Sequence, residues 1–187
     1  MKWLDKFCVF VGVANKAHST PNKDAAMLEL ARELQKLLKS EDSGLHLKEV
    51  ADAELDAVIG ILQKFYWIKD KESALHRVLC HLESAFSLYT KYEESLLNNT
   101  VACIAYRLNS AMSSNNHFVN ICTAKAHICY LMAGIHKVLG DKDYLVESWI
   151  GKAKPSRRIK RYLPSPKWEV PYRLQREANK LLLPVKK

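Results

Sequence analysis

Apolar residues recur at three- and four-residue steps throughout residues 72–139. Leu75, Val78/Leu79, Leu82, Ala85/Phe86 and Tyr89 form one set. Leu97, Val101, Ile104, Leu108 and Ala111/Met112 form a second, and Phe118, Ile121, Ile128, Leu131/Met132, Ile135 and Val138/Leu139 a third. That spacing places each set along one stripe of an α-helix, which must be buried against other helices. Asn98-Asn99 predicts the break between the first two helices, with Thr100 as a cap for the second. The four residues 113–116 (Ser, Ser, Asn, Asn) predict a turn, because their side chains compete for backbone hydrogen bonds. Gly140 suits the left-handed residue that ends a helix. Asp141 then reads as the cap of a short helix carrying Tyr144, Leu145 and Trp149.

Upstream, Thr20-Pro21 predicts a helix start, and Met27, Leu30/Ala31, Leu34 and Leu37/Leu38 give that helix one face as far as Lys39. Residues 40–44 break the pattern as a loop. It resumes with Leu47, Val50, Leu55, Val58/Ile59, Leu62 and Phe65/Tyr66, either as one helix from Leu45 or as a short one followed by another from Asp52. Asp70 is placed to cap the next helix. Residues 2–14 read as a short, very apolar helix or a strand. They resemble the apolar core of an export signal only until Asp5 before the run and Lys16 after it are counted. No uninterrupted apolar run approaches the ~18–20 residues of a membrane-spanning helix, so no transmembrane segment is expected. The pattern predicts an all-α protein, a compact helical bundle of about six to seven helices. A tandem helical-repeat solenoid is the weaker reading, since no repeated set of small and aromatic residues aligns across the segments.

Charge changes this picture. The 187 residues carry a formal net charge of +9, but residues 1–150 hold 17 Lys/Arg against 18 Asp/Glu. Residues 151–187 hold 12 Lys/Arg against 2 Asp/Glu, together with five of the six prolines. Composition therefore divides the chain into a nearly neutral helical domain, 1–150, and a basic, Pro-containing C-terminal extension, 151–187. Proline disfavours helix in the residue before it, which predicts an extended path over 152–171 and leaves room for a short terminal helix over 172–183.

Candidate chemistry is sparse in the body. Five cysteines, four of them inside apolar helical patterns, read as buried reduced thiols of a cytoplasmic protein rather than a disulfide framework. Cys122, Cys129 and His136 share a helix face, but a seven-residue step is about 10 Å of rise, too far for one metal. His76 and Cys80 could share a metal, yet no Cys-x-x-Cys or His-Glu-x-x-His spacing supports a site. Cys80 and His81 point about 100° apart, the wrong geometry for a nucleophile and its base. The carboxylate pairs Asp52/Asp56 and Glu93/Glu94 read as solvated helix faces. No metal and no cofactor is expected.

The extension carries the functional signal. Arg157, Arg158, Lys160, Arg161 and Lys167 alternate with Tyr162 and Trp168, cations for phosphates or carboxylates and rings that stack on bases at about 1–3 kcal/mol each. The pattern favours a non-catalytic interaction protein binding an acidic protein surface or a nucleic acid through residues 152–172. The acidic stretch 41–56 of the same chain is a further docking surface for those cations. The alternative is a small helical enzyme acting on RNA or nucleotides with His and Arg side chains in a cleft between helices. Homo-oligomerisation through Phe7–Ala14 and exposed apolar faces is a third reading.

Overall fold

Caps and breakers set the element boundaries. The computed structural model describes residues 23–112, 116–164 and Arg176, and these residues include the six α-helices α1 (Lys23–Glu41), α2 (Leu45–Gln63), α3 (Lys71–Asn98), α4 (Thr100–Met112), α5 (His117–Leu139) and α6 (Asp143–Lys152). Two 3₁₀ turns lie at Phe65–Trp67 and Ile159–Tyr162, and no strand occurs among the described residues. The protein is all-α. The apolar stretch 2–14, the Thr20-Pro21 helix start, most of the 113–116 turn, Lys167, Trp168 and the terminal helix over 172–183 lie outside the described residues, Arg176 apart.

The caps follow local chemistry. Asp70 Oδ1 accepts the Ser73 amide at 3.0 Å and closes the start of α3. At α4 the cap is Asn99, not Thr100: its Oδ1 accepts the Ala102 amide at 3.1 Å. A carboxamide oxygen at this position reaches the third amide of the helix as readily as a hydroxyl does. α5 ends at Gly140 with φ +76°, where the Asp141 amide donates to the His136 carbonyl and the Gly140 amide to that of Lys137. That pair of bonds is a Schellman ending, which requires the left-handed residue. Asp141 does not cap α6. Its carboxylate pairs with His136 Nδ1 at 2.8 Å, and α6 starts from Lys142 without a side-chain cap.

Packing divides the described chain into two units interleaved in sequence. The first holds α1 and α4, with Asp42, Ser43 and the last turn of α3. Leu34, Leu37 and Ala105 are buried together, with Leu30, Leu38 and Val101 packed around them. Just past the end of α1, the buried Asp42 accepts a 2.6 Å hydrogen bond from the Tyr106 hydroxyl. The Cys103 thiol donates to the Leu96 carbonyl at 3.2 Å. The stripe expected for α4 is rotated. Ala102, Cys103, Ala105 and Tyr106 are buried, whereas Ile104 and Leu108 are exposed. Small side chains on the inner face admit a close neighbour, and periodicity weighted toward large aliphatics overlooks them.

The second unit holds α2, α3 up to Glu94, α5, α6 and the segment that follows it. α5 packs on α6 and has eleven buried residues, among them Phe118, Ile121, Ile128, Met132 and Ile135. Among the described residues it alone is long and apolar enough, by length and composition, to cross a membrane. A search for uninterrupted apolar runs passes over it because Asn120, Lys125 and His127 interrupt the sequence. Burial on most sides accounts for the same composition in a core helix. α2 is one helix, with no second start at Asp52, and Val50, Ile59, Leu62 and Tyr66 on or after it are exposed against the stripe prediction.

α2 and α3 are tied by polar side chains. Glu54 Oε2 lies 2.6 Å from His81 Nδ1, and Glu54 Oε1 accepts from the Ser84 hydroxyl at 3.1 Å. Asp52 pairs with Lys48 at 2.5 Å and accepts a hydrogen bond from the Tyr89 hydroxyl. The bond from His81, the largest influence, holds the Glu54 carboxyl below the ordinary carboxylate range against the opposing effect of burial. A depressed carboxyl stabilises the fold fully above its unfolded pKa, and the contribution is lost as pH falls through the folded value. Acid titration of unfolding free energy should therefore lose a component below about pH 4.3, the ordinary Glu value. Glu54→Gln should lack that component and leave the rest of the acid limb unchanged. Identical acid limbs for the two proteins would refute the assignment.

Candidate macromolecule-binding site

The site begins where α6 ends. Its last residue, Lys152, sets its ammonium 3.9 Å from the centre of the Trp149 ring. Ala153 is buried, Pro155 follows, and the chain then turns as a 3₁₀ helix over Ile159–Tyr162. The extended path predicted for 152–171 is corrected here for Lys152, which ends α6, and for residues 159–162. Pro155 and Pro164 restrict only the residues before them, Lys154 and Leu163, and Leu163 is indeed extended (ψ 151°). The intervening 156–162 contains no proline and is free to turn.

Three anchors hold this turn to the helices of its unit. The Ser156 hydroxyl donates to Glu93 Oε1 at 2.7 Å, Ile159 is wholly buried, and the Tyr162 ring stacks on Phe118 with centroids 4.6 Å apart. Glu93 is itself buried and pairs with Lys125 on α5 at 2.8 Å. The Lys125 ammonium also sits 5.3 Å from the Phe86 ring, which packs edge-on against Trp149. A continuous chain of contacts thus runs from Lys152 through Trp149, Phe86, Lys125 and Glu93 to Ser156. Glu93 is no solvated helix face as its sequence position suggested. Adjacent helical residues diverge by about 100°, so Glu94 meets solvent while Glu93 points inward.

The cations of this segment face out. Lys152, Lys154, Arg157, Arg158, Lys160 and Arg161 are all exposed, and no acidic residue interrupts them from 152 to 164. Tyr162 is half-buried, with one face against Phe118. Of the candidate residues, the structure brings Arg157, Arg158, Lys160, Arg161 and Tyr162 together on one turn, while Lys167 and Trp168 lie outside the described residues. Carboxylates of the 41–56 stretch have partners of their own: Asp42 meets Tyr106, Asp52 meets Lys48 and Tyr89, and Glu54 meets His81 and Ser84.

The thiols near the anchors are poor nucleophiles. Burial, with the Glu93 charge added, pushes the Cys122 thiol up to about 12. Burial also takes Cys129 to about 12, against the opposing charges of Lys125 and Lys152. A thiol that keeps its proton at neutral pH is a poor nucleophile. Among the described residues no three His, Cys, Asp or Glu side chains converge to hold a metal ion. His81, His117 and His136 are each tied to a different partner, Glu54, Tyr92 and Asp141.

Sequence reasoning placed Phe118 on a core stripe without its tie to Tyr162, and it missed the anchors Glu93, Lys125 and Ser156. Only Ser156 and Ile159 left a signal: Ser-Arg-Arg-Ile-Lys-Arg-Tyr repeats an uncharged residue every third position, the period of a 3₁₀ helix. No protein-family model matches the chain, and no match is found among the curated proteins or the solved structures.

Proposed function

We propose that this is a non-catalytic helical interaction protein that binds an acidic macromolecule largely through the basic segment starting at Lys152. The observation that carries the reading is the row of six exposed cations on a segment whose apolar side chains are turned inward. A cation fixed to a rigid support loses less conformational freedom on binding than one on a loose tail, so preorganisation adds to affinity. Arg157, Arg158, Lys160 and Arg161 supply the contact in the described part, and Lys167 and Trp168 extend it. A reducing, cytoplasmic setting belongs to the same proposal and rests on the sequence, whose five cysteines lack the paired spacing of a disulfide framework.

The test uses point changes, since cutting the chain at 151 would also remove the buried Ile159 and Leu163. Full-length protein should bind a nucleic acid or a polyanionic protein at low salt. If all six cations contact phosphates, affinity should fall about 10³-fold or more between 50 and 200 mM salt. Replacing Lys154, Arg157, Lys160 and Arg161 by Gln, which leaves Lys152 on Trp149, should remove most of the binding while the thermal transition stays in place. Binding unaltered in the Gln variant would refute the proposal.

A further inference from the structure

The connection between α2 and α3 carries the most exposed large apolar side chains among the described residues. Tyr66 and Trp67, both in the Phe65–Trp67 turn, are each 80% exposed. Ile59 and Leu62 are exposed in the last turns of α2 and bring the open apolar surface up to them. A single surface apolar residue is ordinary, whereas a contiguous set marks a contact with something else. The support beneath is pinned. Asp52 reaches Tyr89, and Glu54, two residues on, reaches His81 and Ser84, so α2 and α3 run antiparallel and the turn sits at their joined end. Lys64 and Lys69, both exposed, bracket Phe65-Tyr66-Trp67-Ile68, and the exposed Lys71 holds its ammonium 5.9 Å from the centre of the Phe65 ring. No acidic residue occurs from 57 to 69. Of the two that follow, Asp70 accepts the Ser73 amide at the start of α3, and Glu72 is exposed.

We propose that this turn seats the protein on an anionic lipid surface, its two rings in the headgroup boundary and its lysines at the phosphates. The inference is independent of the basic segment that starts at Lys152. Tyr and Trp have an apolar body and one polar group, which suits the level where acyl chains give way to headgroups. A lysine beside such a ring lays its stem along the apolar surface and keeps its ammonium among the headgroups. Lys71 already lies over Phe65 in that manner. Apolar side chains on one surface with lysines around them are the composition of an interfacial anchor. Other occupants fit less well. Protein interfaces favour aromatic residues but are depleted in lysine. A second copy meeting the same surface about a twofold axis would set lysine against lysine. Successive bases need ring faces to stack on, and here the Tyr66 and Trp67 rings meet edge to face, 5.1 Å apart and 88° between planes.

The experiment is co-sedimentation of the full-length chain with phosphatidylcholine vesicles, with and without phosphatidylserine. The parent should bind the phosphatidylserine vesicles more tightly. Tyr66→Ser/Trp67→Ser should weaken that binding by about 100-fold or more, the loss expected when two large side chains are no longer buried. Lys64→Gln/Lys69→Gln should weaken it by about 30-fold at low salt and by less as salt rises. Both pairs are exposed, so each variant should keep the parent's circular dichroism. The Trp67 part of the fluorescence, taken as the difference between the parent and Trp67→Phe, should move to the blue when phosphatidylserine vesicles are added. Equal affinity for the two kinds of vesicle, read on the parent alone, would overturn the inference. Vesicle binding that survives Tyr66→Ser/Trp67→Ser would assign it to other cations of the chain and overturn the inference as well. So would tighter binding to a single-stranded oligonucleotide that depends on the two rings, or a parent dimer in light scattering that the double variant dissolves.

Discussion

Glu93→Ala should be among the most damaging single substitutions in the described chain. The carboxylate is buried, meets the Lys125 ammonium at 2.8 Å and accepts the Ser156 hydroxyl at 2.7 Å. Removing one member of a buried ion pair leaves the other charge uncompensated, at a cost of about 3–5 kcal/mol. For a chain of this length that is a fall in Tm of about 6–20 °C by calorimetry. The effect should be coupled to Lys125. Replacing both by methionine should recover much of the loss, because an apolar pair of similar volume is often as stable as a buried salt bridge. A fall below about 1 kcal/mol for Glu93→Ala would show that water reaches the pair, as it does in surface pairs.

That pair also marks how far the sequence could be read. The all-helical class, the break at Asn98-Asn99, the Asp70 cap and the Gly140 ending are local matters, and each follows from residues within a turn of one another. So does the charge step at Gly151, a property of composition alone. Glu93, by contrast, finds Lys125 32 positions away and Ser156 63 away. Nothing near Glu93 in the chain distinguishes it from its exposed neighbour Glu94. The same holds for Glu54 with His81 and for Asp42 with Tyr106, whose partners come from other helices.

Two local signals were outweighed by stronger-looking ones. The third-residue repeat in 156–162 is legible, but the prolines on either side of it favour an extended path. Each proline constrains itself and the residue before it, and the span between two of them keeps its own preference. In α4 the aliphatic stripe Val101, Ile104 and Leu108 is the stronger periodic signal, yet Ala102, Cys103 and Ala105 are the positions that are buried. Apolar size predicts which residues prefer burial, whereas close approach of helices selects small ones.

Phe118→Ala should match Glu93→Ala in stability and exceed it in its effect on the site. Phe118 is wholly buried near the start of α5, its ring stacked on Tyr162 and edge-on to His117. Truncating a buried phenylalanine costs about 3–5 kcal/mol. Loss of the stacked pair adds about 0.5–1.5 kcal/mol beyond the area no longer buried. Tyr162→Ala separates the two consequences, because it removes the same pair from the half-buried side and leaves the α5 core filled. Its global transition should therefore move much less. Amide exchange in residues 156–163 should rise in both variants, since Ser156 and Ile159 then hold the turn alone. A Tyr162→Ala protein with parental exchange over those residues would mean that the ring contributes nothing to docking. A Phe118→Ala protein that loses stability with parental exchange there would assign Phe118 to the α5 core alone.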